Sequence, residues 1–432
     1  MNNEFAANKQ VSVLQNGVSI ATDLVPGASS VYVGLWLPIG SASENSKNSG
    51  LSHFYEHLVF KGTKNSSAFQ IAKEIEDLGG NLNAYTARDA TCFYIHIAKE
   101  HLQTAMKVLA ALVMEPKLTS SDFAKEREVI IKEIISVEDN PEELSDDFFH
   151  KAHFKGCSLA LPIAGSVKSL KNLCVEEIRK RQKFILEELP ILVSVAGALE
   201  HNELVKICKK FFSKKKGAGN QPSIAYSANS GVEMRQKEIQ QATVLWGTSC
   251  EGLEAKELRA LQIFNHIFGD GFSSRLFQNI REKYGLVYSI NSSFGNFMQK
   301  TASKKSLAFF QIFFATEQQN MEKVADFIRK EMKTFLRNGF SKNELEKAKQ
   351  GIIGSYKLSR DSLSSRQNRL ARQVLRYGHP IDPNKTESQI NKMEADYIES
   401  FIKKFASSSK WTFAAIVPKK TNSVDFSSSI TA

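Results

Sequence analysis

The sequence predicts an α+β fold made twice over: two homologous α/β-sandwich units, each an antiparallel-rich sheet packed by helices, joined by a linker. Three observations predict it. Strand-like and amphipathic helical runs alternate along the chain instead of segregating. Their order repeats on either side of a polar stretch near residue 220. Residues 118–131 and 340–353 share their apolar spacing, which sets a repeat of about 200 residues.

Residues 11–14 and 18–21 flank Asn16-Gly17, a pair that favours a tight hairpin. Residues 31–38 form a further apolar strand, 40–50 a polar loop, and a helix follows. Asn65 or Ser66 is placed to cap the next helix, whose Ile71, Ala72, Ile75 and Leu78 make one stripe before Gly79-Gly80 stops it. Strands at 81–86 and 91–98 meet at a polar turn, Arg88-Asp89. A helix carrying Leu102, Ala105, Met106, Leu109 and Leu112 ends near Pro116, and residues 121–136 form another. Residues 190–199 read as an apolar strand and 201–212 as a helix. The lysine-rich and small polar residues that follow read as an exposed linker. The expected division is therefore 1–212, a linker at 213–232, and 233–432. In the second unit, a strand at 242–247 precedes a helix ending at Gly269; strands at 286–297 and 306–315, a long helix, and a helix opening at Phe340 follow.

Composition narrows the function. With 57 Lys+Arg against 46 Asp+Glu the formal charge is +11, but it is dispersed and no aromatic-plus-basic module accompanies it, so nucleic acid is not an expected partner. No run of eighteen apolar residues occurs, which excludes a transmembrane helix and a membrane partner of that kind. The five cysteines are odd in number and lack CxxC spacing, as expected of reduced thiols. Residues 1–5 lack the build of a secretion signal or transit peptide, so a cytoplasmic location is expected.

The chemistry-bearing stretch is His53-Phe54-Tyr55-Glu56-His57. On a helix, residues four apart share a face, so His53 and His57 present two imidazoles to one ion, and Glu56 lies within reach of a water there. A catalytic zinc normally takes three protein donors and one water, so a third donor is required elsewhere. Glu126 and Glu133, seven apart, share one face of the helix after Pro116. Their spacing alone leaves two readings open: a third donor with a supporting carboxylate, or two ordinary exposed glutamates.

His53-Phe-Tyr-Glu56-His57, followed 76 residues later by Glu133 in an ERxVIxxE helix, resembles the inverzincin family of pitrilysin, insulin-degrading enzyme and the mitochondrial processing peptidase. The resemblance implies a zinc endopeptidase binding one zinc ion per chain through His53, His57 and Glu133, with Glu56 as the base that activates water and Glu126 in support. It extends into the second half, where residues 271–277 and 281–288 resemble a motif that holds substrate; this implies substrate roles for Arg281 and Tyr288, which otherwise read as a helix-face arginine and a half-buried tyrosine. Asn83 and Ala84 match the family's edge strand, to which a peptide adds as an extra strand. Taken alone, the acidic run from Glu138 to Asp147 reads as a solvated turn; Glu143 and Asp147 match processing-peptidase acids that hold a basic substrate residue. On the corresponding alignment Gln262, Asn265, His266 and Ser355 stand where the second half has lost the site. The implied protein is a bacterial relative of the processing-peptidase type, acting on extended, basic or presequence-like peptides. Two such chains, as a homodimer or a heterodimer with a related chain, would close around a chamber. A non-catalytic core subunit of the same family is the alternative.

Overall fold

The computed structural model describes residues 8–217, 219–419 and 429–430; residues 1–5, on which the expectation about a leader rests, lie outside them. In chain order the strands are β1 (Lys9–Val13), β2 (Val18–Leu24), β3 (Ser30–Leu37), β4 (Asn81–Thr86), β5 (Thr91–Ala98), β6 (Ile191–Gly197), β7 (Gly231–Lys237), β8 (Ala242–Glu251), β9 (Ser289–Asn296), β10 (Leu307–Thr316) and β11 (Trp411–Pro418). The helices are α1 (Leu51–Val59), α2 (Ala68–Glu76), α3 (Leu102–Met114), α4 (Ser120–Asp139), α5 (Pro141–His153), α6 (Val167–Asn172), α7 (Val175–Glu187), α8 (His201–Phe211), α9 (Ala255–Phe268), α10 (Met321–Asn338), α11 (Lys342–Leu358), α12 (Leu363–Tyr377), α13 (Pro383–Asn391) and α14 (Ala395–Ser408). None of the described helices is long and apolar enough to cross a membrane.

The fold is two α/β units, each with its own sheet. The first sheet runs β1-β2-β6-β3-β5-β4, with β2 and β6 parallel and the other neighbours antiparallel. Its β1–β2 hairpin turns at Gly17, whose φ of +82° is the conformation a tight turn there demands. One face packs Val33, Leu35, Phe93 and Ile95 against Phe54 and Leu58 of α1, Met106 and Leu109 of α3 and Ile130 of α4. α12 lies over β6, β3 and β2 of the same sheet. A Cβ on Gly34 of β3 would come within 2.1 Å of Gln367 Nε2 on α12, so only glycine admits the helix this closely.

The second sheet runs β7-β11-β8-β10-β9, again with one parallel pair, β7 and β11. This is the first sheet's order without its outer hairpin strand: β7, β11, β8, β10 and β9 stand for β2, β6, β3, β5 and β4. The repeat inferred from residues 118–131 and 340–353 is thus a repeat of topology. Here α5 packs on β8 and β11, with Phe149 facing Gly247.

Contacts divide the chain differently from the contiguous expectation of 1–212 and 233–432. The first unit gathers the described residues of 1–134, 161–224 and 357–382; the second gathers 135–160, 225–356 and 383–432. Each sheet borrows a covering helix, α12 or α5, from the other half of the sequence. Nor is 213–232 an exposed linker throughout. Lys215 is buried, Lys216 N–H donates to the Leu186 carbonyl, Asn229 N–H donates to the His153 carbonyl, and β7 begins at Gly231.

Two local expectations are also corrected. The cap of α2 is Ser67, in a reciprocal capping box with Gln70, in place of Asn65 or Ser66. The acidic run around Glu143 is a helix and not a solvated turn. Asn140 caps α5, Pro141 fills its first position, and Glu142 and Glu143 lie at the positive end of its dipole, while Leu144 and Phe149 are buried.

Candidate metal centre

The N-cap of α1 is Gly50, at a φ of +92°, which has no side chain with which to cap. Glu44, only 5% exposed, supplies the cap from six residues upstream. Its carboxylate accepts the Gly50 and Ser52 N–H groups at 2.7 and 2.6 Å, a favourable charge for the positive end of the helix. The buried Arg181 of α7 donates to Ser52 Oγ at 3.3 Å. So anchored, α1 presents His53 and His57 one turn apart, their ring centroids separated by 4.5 Å.

α4 brings the carboxylates. Glu133 sets Oε1 at 3.4 Å from His53 Nε2 and Oε2 at 3.6 Å from His57 Nε2. Glu126, two turns earlier, is buried and lies 2.8 Å through Oε1 from His57 Nδ1. A carboxylate can only accept, so His57 carries its proton on Nδ1 and keeps the Nε2 lone pair facing Glu133. The other Glu126 oxygen pairs with Lys61 Nζ at 2.5 Å. His53 Nδ1 is buried without a hydrogen-bond partner, so nothing comparable fixes its tautomer.

The electrostatics follow. Burial disfavours the charged His53 ring, but Glu133, with Glu56 and Glu44 beyond it, outweighs burial and raises its pKa. The hydrogen bond with His53 holds Glu133 below the ordinary carboxyl range. Burial works against Glu126, yet His57 and Lys61 hold its carboxyl low as well. One donor atom from each of His53, His57 and Glu133 lies within 4.8 Å of the others, the one such group among the described residues. Two imidazoles and a carboxylate are a donor set that suits zinc. With bonds of about 2.0–2.1 Å in a tetrahedron, ligand atoms sit roughly 3.3 Å apart, near the observed spacings. The residues fit the ion.

Glu56 stands on α1 between the two histidines, and Thr86 Oγ1, on the last residue of β4, donates to its Oε2 at 2.5 Å. β4 is the outer strand of the first sheet, bonded among the described strands to β5 alone. Asn83 is exposed on it, its Oδ1 accepting the Ala84 N–H, and Ala84 packs on the core. The remaining candidates belong to the second unit. Arg281 lies on a short π-helical turn, with its guanidinium over Phe277. Tyr288 precedes β9 with its side chain 75% exposed, not half-buried. Glu143 accepts from Asn140 Nδ2, and Asp147 lies on the next turn of α5.

In the second unit the counterparts are polar but carry no metal group among the described residues. Asn265 accepts from Ser292 Oγ at 2.8 Å, and His266 pairs with Asp270. Sequence reasoning did not single out Glu44, Arg181, Lys61 or Thr86. Lys61 stands four residues past His57 and Thr86 ends the strand bearing Asn83 and Ala84, so both were within reach of local spacing. Glu44 caps from outside the usual capping distance and left no such trace.

Residues 19–167 match the family model described as insulinase (peptidase family M16), and residues 177–352 match the peptidase M16 inactive domain. A protein of Rickettsia bellii named an uncharacterized zinc protease is 31% identical over 415 residues, covering 95% of this chain and 98% of that protein. A Bacillus subtilis protein of similar name is 30% identical over 84% of this chain and 87% of its own length. Among solved structures, a peptidase M16 inactive domain from Pseudomonas fluorescens superposes with a TM-score of 0.84 at 17% identity, and a protease from Helicobacter pylori with 0.83 at 19%. Each covers 96% of this chain and all of its own.

Proposed function

The chain belongs to the insulinase family, peptidase family M16, and from that premise we propose that it is a zinc endopeptidase cleaving extended peptides. The observation that carries the proposal is the convergence of His53, His57 and Glu133, donated by two helices, with Glu56 on the same turn. His53, His57 and Glu133 would hold one zinc ion per chain. Zinc, when bound, supplies a Lewis acid that renders water acidic near neutral pH and polarises a carbonyl. Glu126 fixes His57 with Nδ1 protonated. Glu56, with Oε2 engaged by Thr86, would use Oε1 to take a proton from the attacking water and return it to the leaving amine.

The outer edge of β4, unpaired among the described residues, would offer main-chain groups to an extended peptide around Asn83 and Ala84, which supports cleavage with loose sequence demands. Arg281 and Tyr288 are proposed to hold substrate, and Glu143 and Asp147 to favour basic side chains. Assembly as a homodimer, or with a related chain, around a chamber belongs to the same proposal.

The test is digestion of a peptide library with and without a chelator, with cleavage positions read by mass spectrometry. Chelator-sensitive cleavage is expected, and Glu56→Gln should retain zinc while losing at least about 10²-fold in turnover. Full turnover by that variant would sink the mechanism. A wild-type chain without stoichiometric zinc would favour the non-catalytic core-subunit reading.

A further inference from the structure

We infer that Thr86 is a positioning residue for the base, its hydroxyl locking the Glu56 carboxylate to the end of the strand on which the peptide adds. The inference rests on the endopeptidase reading above and adds a residue to it. Thr86 is the last residue of β4, and its Oγ1 donates to Glu56 Oε2 at 2.5 Å. A carboxylate on a flexible stem has several rotamers of similar energy. One short charge-assisted bond selects one of them and so fixes the position of the other oxygen.

Both ends of this bond are themselves held. The turn after β4 is pinned by the loop before α1: Ser41 N–H donates to the Ala87 carbonyl at 3.3 Å and Ala42 N–H to the Arg88 carbonyl at 2.7 Å. That loop continues into Glu44, which caps α1. Strand end, loop and metal-bearing helix therefore form one closed circuit, with the Thr86–Glu56 bond inside it.

The second unit contains the same connection without the chemistry. Ser292 of β9, the strand standing for β4, donates through Oγ to Asn265 Oδ1 on α9 at 2.8 Å, and Asn265 aligns with Glu56. A hydroxyl on the outer strand and an acceptor on the facing helix thus form a framework tie common to both units. Only in the first unit does the acceptor carry a charge and stand beside metal donors. There too the outer strand is open among the described residues, whereas Ser292 N–H in the second unit already donates to the Gly269 carbonyl. Fixing the base from the strand that receives substrate would make proton transfer depend on Thr86 while leaving affinity for the peptide untouched.

The experiment uses the full chain with Thr86→Val, Thr86→Ala and Thr86→Ser. Hydrolysis of an internally quenched peptide is measured with zinc content, thermal unfolding and calorimetric binding of a peptide hydroxamate, which chelates zinc and needs a carboxylate acceptor for its N–OH proton. Thr86→Val should lower kcat roughly 10–100-fold, the scale of a small misplacement of a reacting group, with KM within about twofold and zinc retained. Hydroxamate affinity should weaken in parallel, and Thr86→Ser should recover both to within about threefold. If valine does not fold, the alanine and serine pair carries the same comparison. An active, zinc-loaded wild type equalled by the valine or alanine variant overturns the inference alone, as does a serine variant as impaired as alanine. A wild type that neither binds zinc nor cleaves peptide removes the endopeptidase reading, and this inference with it.

Discussion

Glu126 divides its two oxygens between His57 Nδ1 and Lys61 Nζ, so one buried carboxylate both orients a proposed zinc donor and neutralises a lysine. Glu126→Gln should weaken zinc binding about 10–100-fold, as loss of such supporting partners does elsewhere; competition with a chromophoric chelator measures it. The sequence made His53, Glu56 and His57 legible because five contiguous residues fix their relation through helix geometry alone. Glu133 and Glu126 were not legible from spacing, since periodicity says which residues share a face and not what that face meets. Thr86, at the end of the strand bearing Asn83 and Ala84, lay within reach of that spacing, but spacing does not show that its hydroxyl meets Glu56. A titratable group of the second unit gives a pH prediction. His153 is fully buried, between Thr412 Oγ1 at 2.9 Å and Ser249 Oγ at 2.7 Å, and burial, with His150 adding to it, lowers its pKa to about 4. Because the fold prefers the neutral ring, its contribution is complete above the unfolded value near 6.5 and is lost as pH falls toward 4. The loss is on the order of 3 kcal/mol. Urea midpoints between pH 7 and pH 4 should fall more steeply for the wild type than for His153→Gln.

At the scale of elements, α1 depends on a cap it does not contain. Glu44→Ala would leave the Gly50 and Ser52 amides without their acceptor and remove the negative charge whose field the buried Arg181 feels, costing on the order of 2–4 kcal/mol. A lowered urea midpoint together with weakened zinc binding should report it, because the helix that loses its cap is the one bearing both histidines. The strands of the first sheet were legible from alternation and from Asn16-Gly17, and β4 and β5 fell at the expected bounds. α5 was not, because six acids between residues 138 and 147 masked a short apolar set of Leu144 and Phe149, while the Asn140-Pro141 start signal went unread. α12 escaped as well. Its buried face of Gln367, Leu370, Ala371 and Val374 has helical spacing, but the stripe is short, includes an amide and is interleaved with four arginines.

At the scale of the whole molecule, the duplicated topology was legible and the ownership of segments was not, since local spacing carries no record of which sheet a helix covers. α12 lies more than 160 residues beyond β6, the last strand of the sheet it covers. A fragment ending at residue 212 would lack that helix and expose Trp36 and Leu192 to water. It is expected to melt well below the full chain and to bind a hydrophobic dye, which calorimetry and fluorescence would show. Gly34→Val, which forces a side chain into Gln367, should reproduce part of that loss in the intact chain, about 2–4 kcal/mol in chemical denaturation. The borrowed helix also imposes a schedule on biosynthesis. The histidines and Glu133 leave the ribosome early, but the sheet behind them keeps a bare apolar side until residue 377 has been translated. The first unit therefore completes its packing only after most of the chain has been made.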